Sequence, residues 1–208
     1  VNPSIYRNIR PIIKRLEAVK MLRLASSSKM TREKADTPYL FTNIRQPVTD
    51  YLVIPSVSSE RRRYVPIGYL DSNTIATNLV LIVPDAELYH FAVLTSNVHM
   101  AWMRAFGGRL KSDYRYSGKI VFNNFPWPEL DEEYRTILIR SGQEILKARE
   151  KYPDASLADL YDELTMPSEL RKAHRENNKA VMNAYGFDLQ MTEEECVAAL
   201  MKLYQTLV

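Results

Sequence analysis

The sequence predicts an α+β fold, a mixed segment with a sheet of short strands followed by a small C-terminal helical bundle. Three observations predict it. Residues 37–84 hold short runs rich in Val, Ile, Tyr and Leu, punctuated by Pro, Ser, Asn and Asp, as strands and turns are. Elsewhere apolar residues recur every three or four positions, the period of an amphipathic helix. From Leu130 onward only the helical period remains.

The elements follow in order. Residues 4–28 read as a basic helix in which Ile5, Ile9, Ile12, Leu16, Val19 and Leu22 form an apolar stripe. Arg7, Arg10, Lys14, Arg15, Lys20 and Arg23 occupy much of the rest, and Pro11 either kinks this helix or begins it. The runs YLFTNI, DYLVIPSV, RRRYVPIGYL and NLVLIVP read as strands, with Pro55 and Pro66 at strand ends or edges. Arg61, Arg62 and Arg63 follow VSSE at a turn; three adjacent arginines cannot share one face, so at least one is free for a phosphate or for solvent. Residues 85–106 return to helical spacing, with Thr95 or Ser96 as an internal cap and Gly107-Gly108 as a left-handed terminator. His99, Met100 and Trp102 could belong to a site, but aromatic and Met side chains at helical spacing fit a core better.

After Gly108 the period switches to two. RLKSDYRYSGKIVF reads as a strand, or a tight strand pair turning at Ser117-Gly118. NNFPWPEL ends regular structure, and Phe125 and Trp127 would pin it to the core. Helices are then predicted over 131–151, from Asp154, after Pro167 with Gly186 as terminator, and from Thr192, whose TEEE has capping-box spacing. His174 and Asn177 share a helix face with Leu170 and Val181, as hydrogen-bonded core residues do.

Composition narrows the function. With 46% hydrophobic and 25% charged residues the chain is of the globular kind, and no apolar run approaches the ~20 residues of a membrane span. A single cysteine, Cys196, allows no intramolecular disulfide and fits a reducing, cytoplasmic setting. Together with only His90, His99 and His174 it argues against a structural zinc site. The chain opens on Val1 rather than Met and is read as a fragment. Residues 1–128 carry 18 Lys and Arg against 9 Asp and Glu, whereas residues 129–208 carry 10 against 16. That asymmetry suits a first part that meets a polyanion and a second part that does not.

Catalytic patterns are missing. There is no glycine-rich methyl-donor loop, no Asn/Asp-Pro-Pro-Tyr/Phe loop for a flipped base, no phosphate loop and no nucleophile elbow. What remains is the alternation Arg109, Lys111, Asp113, Arg115. On one strand these side chains would form a row on one face. Such a row suits a base-pair edge in the DNA major groove: Lys or Arg can donate to guanine N7 and O6, and Asp can accept from cytosine N4. The acid makes this specific, because a surface that only neutralised phosphate would gain nothing from Asp113. A water-facing ladder of cross-strand ion pairs is the alternative.

The run SNVHMAWMRAFGGRLKSDYRYSGKIVFNNFPWP resembles the target-recognition domain of MmeI-type restriction–modification enzymes, single-chain proteins that join an endonuclease, an adenine-N6 DNA methyltransferase and a specificity domain. PYLFTNIRQP, YLVIPSVSSERRRYVPIGYL and AELYHFAVLTS resemble it upstream. ILKAREKYPDASLADLYDELTMPSELRKAHRENNKAVMNAYGF resembles the family's C-terminal helical segment, with Asn177-Asn178 where Asn-Asp is usual. The resemblance implies a target-recognition domain over 1–128 and a helical domain over 129–208. It also implies base reading by Lys111 and Asp113, a pair associated with guanine, with Arg115 contributing. Arg109, Arg61, Arg62 and Arg63 are the candidates for the DNA backbone. The implied partners are double-stranded DNA and the catalytic methyltransferase domain of the parent chain. No catalytic residue and no cofactor is expected in the fragment itself; S-adenosylmethionine is implied for the parent. The alternative is a protein–protein docking module in which the acidic tail packs on the parent's catalytic core without reading bases.

Overall fold

A computed structural model describes residues 3–207. The chain forms two compact units, 1–46 and 47–208.

In the first unit a 3-10 turn at Pro3–Tyr6 precedes helix α1 (Arg10–Leu24), and a single turn α2 (Lys29–Arg32) follows. Pro11 begins α1 rather than kinking it, as a residue whose missing N–H falls among the unpaired first-turn donors can. The stripe of the predicted 4–28 helix is not a core face. Ile5, Ile9, Ile12 and Leu22 are exposed, and Arg23 is the buried side chain of α1. Its guanidinium donates to the carbonyls of Lys34, Thr37 and Leu40 at 2.8, 2.9 and 2.7 Å. The chain at 38–44 is irregular, where YLFTNI predicts a strand; within it the Leu40 carbonyl accepts from Arg23.

The second unit opens with an antiparallel sheet in the order β3-β1-β4, from β1 (Tyr51–Pro55), β3 (Gly68–Leu70) and β4 (Val80–Pro84). A second antiparallel sheet, in the order β2-β6-β5, contains β2 (Val57–Ser58), β5 (Gly108–Leu110) and β6 (Asp113–Arg115). Ser56 is the hinge between them. Its N–H donates to Leu79 and its carbonyl accepts from Tyr116, each at 2.9 Å. β1 ends at Pro55 and Pro66 lies just before β3, as their ring chemistry requires. Only Gly68–Leu70 of the run RRRYVPIGYL is a strand.

Helices α3 (Leu88–Leu94) and α4 (Asn97–Phe106) meet at Ser96, whose hydroxyl accepts from the His99 N–H and caps α4. Gly107 ends α4 in an extended conformation (φ −68°), not the expected left-handed one. A Cβ there would stand 2.4 Å from the Met103 carbonyl oxygen, so close approach is what requires glycine. Gly118–Phe122 forms one π-helical turn in place of the predicted strand.

Helices α5 (Glu132–Glu150), α6 (Leu157–Leu160), α7 (Ser168–Ala184) and α8 (Glu193–Leu207) complete the chain. Asp131 caps α5, and Gly186, at φ +68°, follows α7 as the left-handed terminator. α5 and α7 do not stand apart from the sheets. Leu138, Ile145, Leu170, Val181 and Leu200 share one core with Leu52, Ile54, Phe91, Val98 and Trp102, so both sides of position 128 build it. Where α5 crosses α3, Gly142 lets the backbones meet: a Cβ would lie 3.0 Å from the Leu88 carbonyl. Among the described residues no helix is long and apolar enough to cross a membrane.

Candidate nucleic-acid interface

The stretch Gly108–Arg115 is a hairpin and not one strand. Gly108 pairs with Arg115, Arg109 with Tyr114 and Leu110 with Asp113, which leaves Lys111 and Ser112 as a two-residue turn. Lys111 takes φ +58°, a left-handed conformation that costs a side-chain-bearing residue about 1–2 kcal/mol. The single-faced row of four charges is thereby corrected, because residues opposed across an antiparallel pair share a face. Arg109 lies on the Tyr114 side. Its guanidinium sits 4.0 Å from the centre of that ring and donates to the Ser112 carbonyl at 3.1 Å. Asp113 and Arg115 lie together on the opposite, outer face, with Leu110 and Val57 beside them. Lys111 stands at the tip.

None of Arg109, Lys111, Asp113 and Arg115 has an ion-pair partner among the described residues. The water-facing ion-pair ladder is therefore absent. On the helices, by contrast, Lys147 pairs with Glu144, Arg171 with Glu163 and Lys179 with Glu176. Asp113 is instead pinned by a backbone donor, the Glu60 N–H at 3.3 Å.

That contact joins the hairpin to the arginine run. Ser59–Arg62 is a tight turn, closed by Arg62 N–H to Ser59 carbonyl at 3.1 Å. Arg61 on it is exposed and Arg62 half-buried, and neither is paired with a carboxylate among the described residues. Arg63 leaves in another direction. It lines a cavity of about 340 Å³ with Tyr64, Asn97, Arg104 and Glu193, where Arg104 is salt-bridged to Glu193 at 2.7 Å and donates to the Arg63 carbonyl. The Glu60–Asp113 bond thus sets the turn that carries Arg61 and Arg62 against the hairpin that carries Lys111, Asp113 and Arg115, whereas Arg63 lines the cavity and Arg109 stacks on Tyr114.

Two buried polar clusters hold these loops. Behind the arginine turn, the Tyr64 ring stacks on His174 (centroids 4.2 Å apart) and its hydroxyl accepts from Asn178 at 2.8 Å. His174 Nε2 meets the Tyr161 hydroxyl at 2.7 Å, and Arg149 donates to that hydroxyl and to the Ile67 carbonyl. Behind β6, the Tyr116 hydroxyl meets His99 Nε2 at 2.8 Å, and Phe125 packs edge-on against the imidazole. Burial holds both imidazoles neutral, lowering each to about 3; at His174 the Arg149 charge adds to the effect. Burial also pushes the hydroxyls of Tyr116 and Tyr161 up. His99, Met100 and Trp102 are core residues. Asn177 is hydrogen-bonded core as well, donating to the Ala92 carbonyl at 2.8 Å and accepting from Ser141 at 2.7 Å. The support by Arg149, Tyr161 and Tyr64 carries no sequence signal, since its members lie in three separate segments.

The target recognition domain family of MmeI matches residues 2–129, and the MmeI C-terminal domain family matches residues 133–208. The chain belongs to the MmeI family. A solved structure of the Type IIL restriction-modification enzyme MmeI in complex with DNA superimposes with a TM-score of 0.89 at 46% identity, covering 99% of this chain and 28% of that one. The DNA methyltransferase A of Bacillus subtilis (strain 168) is 39% identical over 208 residues, which is 99% of this chain and 24% of the relative. The chain thus spans about a quarter of the length of these relatives.

Proposed function

We propose that this chain is the DNA-reading part of a larger, cytoplasmic adenine-N6 DNA methyltransferase of the restriction–modification kind. The hairpin enters the major groove, which is wide enough for a two-stranded ribbon. Lys111 donates to guanine N7 and O6 at the tip. Asp113, one oxygen held by Glu60, accepts from the N4 amino group of the paired cytosine. Arg115 reaches a neighbouring base or a phosphate. Arg61 and Arg62 hold the DNA backbone; Arg63 and Arg109, whose guanidiniums face Tyr64 and Tyr114, are secondary contacts. Methyl transfer needs an adenine flipped from the stack and S-adenosylmethionine, both handled by parts of the parent outside this chain. The observation that supports the reading is a hairpin whose three basic residues and one acid have no ion-pair partner among the described residues, tied by the Asp113–Glu60 bond to a turn with two unpaired arginines. Exchanging Lys111 and Asp113 together in the parent protein will change the preferred base pair at one position of the modified sequence. An unchanged sequence preference refutes the reading.

A second role is favoured by a different surface. Of 21 exposed large hydrophobic side chains among the described residues, ten fall within residues 3–46. Exposed apolar side chains at that density suit a contact surface, and the N-terminal unit joins the acidic tail as a surface for docking on the parent's catalytic domain. Replacing Met21 and Leu22 by serine will lower the parent's melting temperature without altering its sequence preference.

A further inference from the structure

The outer face of the hairpin carries, besides its charges, apolar side chains with nothing covering them. Leu110 is 50% exposed and Val57 is 40% exposed. Leu110 is the direct cross-strand partner of Asp113, and Val57 of Arg115, so all four side chains share one face. A leucine flanking a hairpin turn has no packing reason to be there: the core side of the same sheet is filled by Tyr114 and Ser58.

The groove chemistry supplies a reason. In the major groove thymine presents a C5-methyl group beside its O4 acceptor, and an apolar side chain is the complement of that methyl. Cross-strand partners have Cβ atoms about 4.5–5.5 Å apart, and successive bases on one strand rise by about 3.4 Å. If Asp113 addresses one base pair, Leu110 therefore falls on the adjacent step. Resting on the base-reading function proposed above, we propose that Leu110 is a further specificity residue, packing against the 5-methyl group of a thymine in the base pair next to the one read through Asp113.

Binding of the full-length parent protein to duplexes of its own site tests this, with each thymine replaced in turn by deoxyuridine, which lacks only the methyl. One replacement will weaken binding about three- to fivefold, the worth of one buried methyl-sized group. Leu110→Ala will weaken binding to the thymine duplex by a similar factor and will bind the thymine and deoxyuridine duplexes equally. At an exposed position this substitution leaves the fold intact. The proposal is overturned if no deoxyuridine weakens the native protein, or if Leu110→Ala remains as sensitive as the native protein. Failure here is distinct from failure of base reading. If only the leucine contact is wrong, the Lys111/Asp113 exchange still alters sequence preference while deoxyuridine duplexes bind normally; if base reading is wrong, that exchange changes nothing.

Discussion

Acid will destabilise the second unit well above the pH at which its carboxylates titrate. His99 and His174 are 1% and 0% exposed, and burial lowers both to about 3. In the unfolded chain an imidazole titrates near 6.5. Below that pH the unfolded chain takes up a proton at each position while the native chain does not. The stabilisation is therefore complete above pH 6.5 and is lost as the pH falls from there toward 3. One pH unit on one such group is worth about 1.36 kcal/mol, so at pH 5.0 each histidine costs roughly 2 kcal/mol and the pair roughly 4 kcal/mol. That is a large share of a typical domain stability of about 5–15 kcal/mol. His90, also lowered chiefly by burial, adds in the same direction. Glu144 and Asp159 are held below the ordinary carboxylate range by Lys147 and Ser156, so they leave the window from pH 6.5 to 5 to the imidazoles. Both tryptophans, Trp102 and Trp127, lie in this unit, and urea unfolding followed by their fluorescence reads it directly. The midpoint should hold from pH 8 to 7 and drop steeply toward pH 5. Unfolding free energies equal within about 1 kcal/mol at pH 7.5 and 5.0 would refute the reasoning. The outcome bears on the site: His99 supports Tyr116 behind β6, and His174 supports Tyr64 behind the arginine turn.

Three further outcomes are expected. Lys111→Gly will leave stability unchanged or raise it by up to ~1 kcal/mol, because glycine adopts positive φ without penalty. It will also lose discrimination at the base pair that Lys111 reads; a denaturation curve and a competition binding series separate the two effects. Arg62→Ala will weaken binding to every duplex alike and reduce the slope of log affinity against log salt by about one, as the loss of one phosphate contact does. Gly107→Ala will cost about 1–3 kcal/mol in a thermal or urea melt, since the added Cβ would meet the Met103 carbonyl oxygen at 2.4 Å and backbone must move.

Helix starts and stops were legible where a single side chain sets them: Ser96, Asp131 and Thr192 at N-termini and Gly186 after α7 each act within one turn of their own position. The charged segment was legible as an alternation and illegible in its geometry. Alternation from Arg109 to Arg115 predicts one face, but the pattern is equally that of a hairpin folded at its centre. The turn residues, Lys111 and Ser112, lack the Gly or Asn that would announce a bend. What bends the chain is pairing with a strand distant in sequence: β2 takes the outer edge of β6, Tyr114 turns inward beside Ser58, and Lys111 absorbs the positive φ. The hairpin strengthens the groove argument that the single strand had suggested. A continuous four-charge row would lay three cations and one anion along one line, with Arg109 free. The folded ribbon instead withdraws Arg109 onto Tyr114, puts Lys111 at the leading tip and leaves Asp113 and Arg115 on one flank. Lys111, Asp113 and Arg115 then follow one another from the tip along one strand of the ribbon. The Glu60 N–H holds the Asp113 carboxylate, and no local pattern could have foretold that contact across 53 residues. It fixes the acid and ties the Ser59–Arg62 turn to the hairpin, the two parts to which phosphate contact and base reading are proposed.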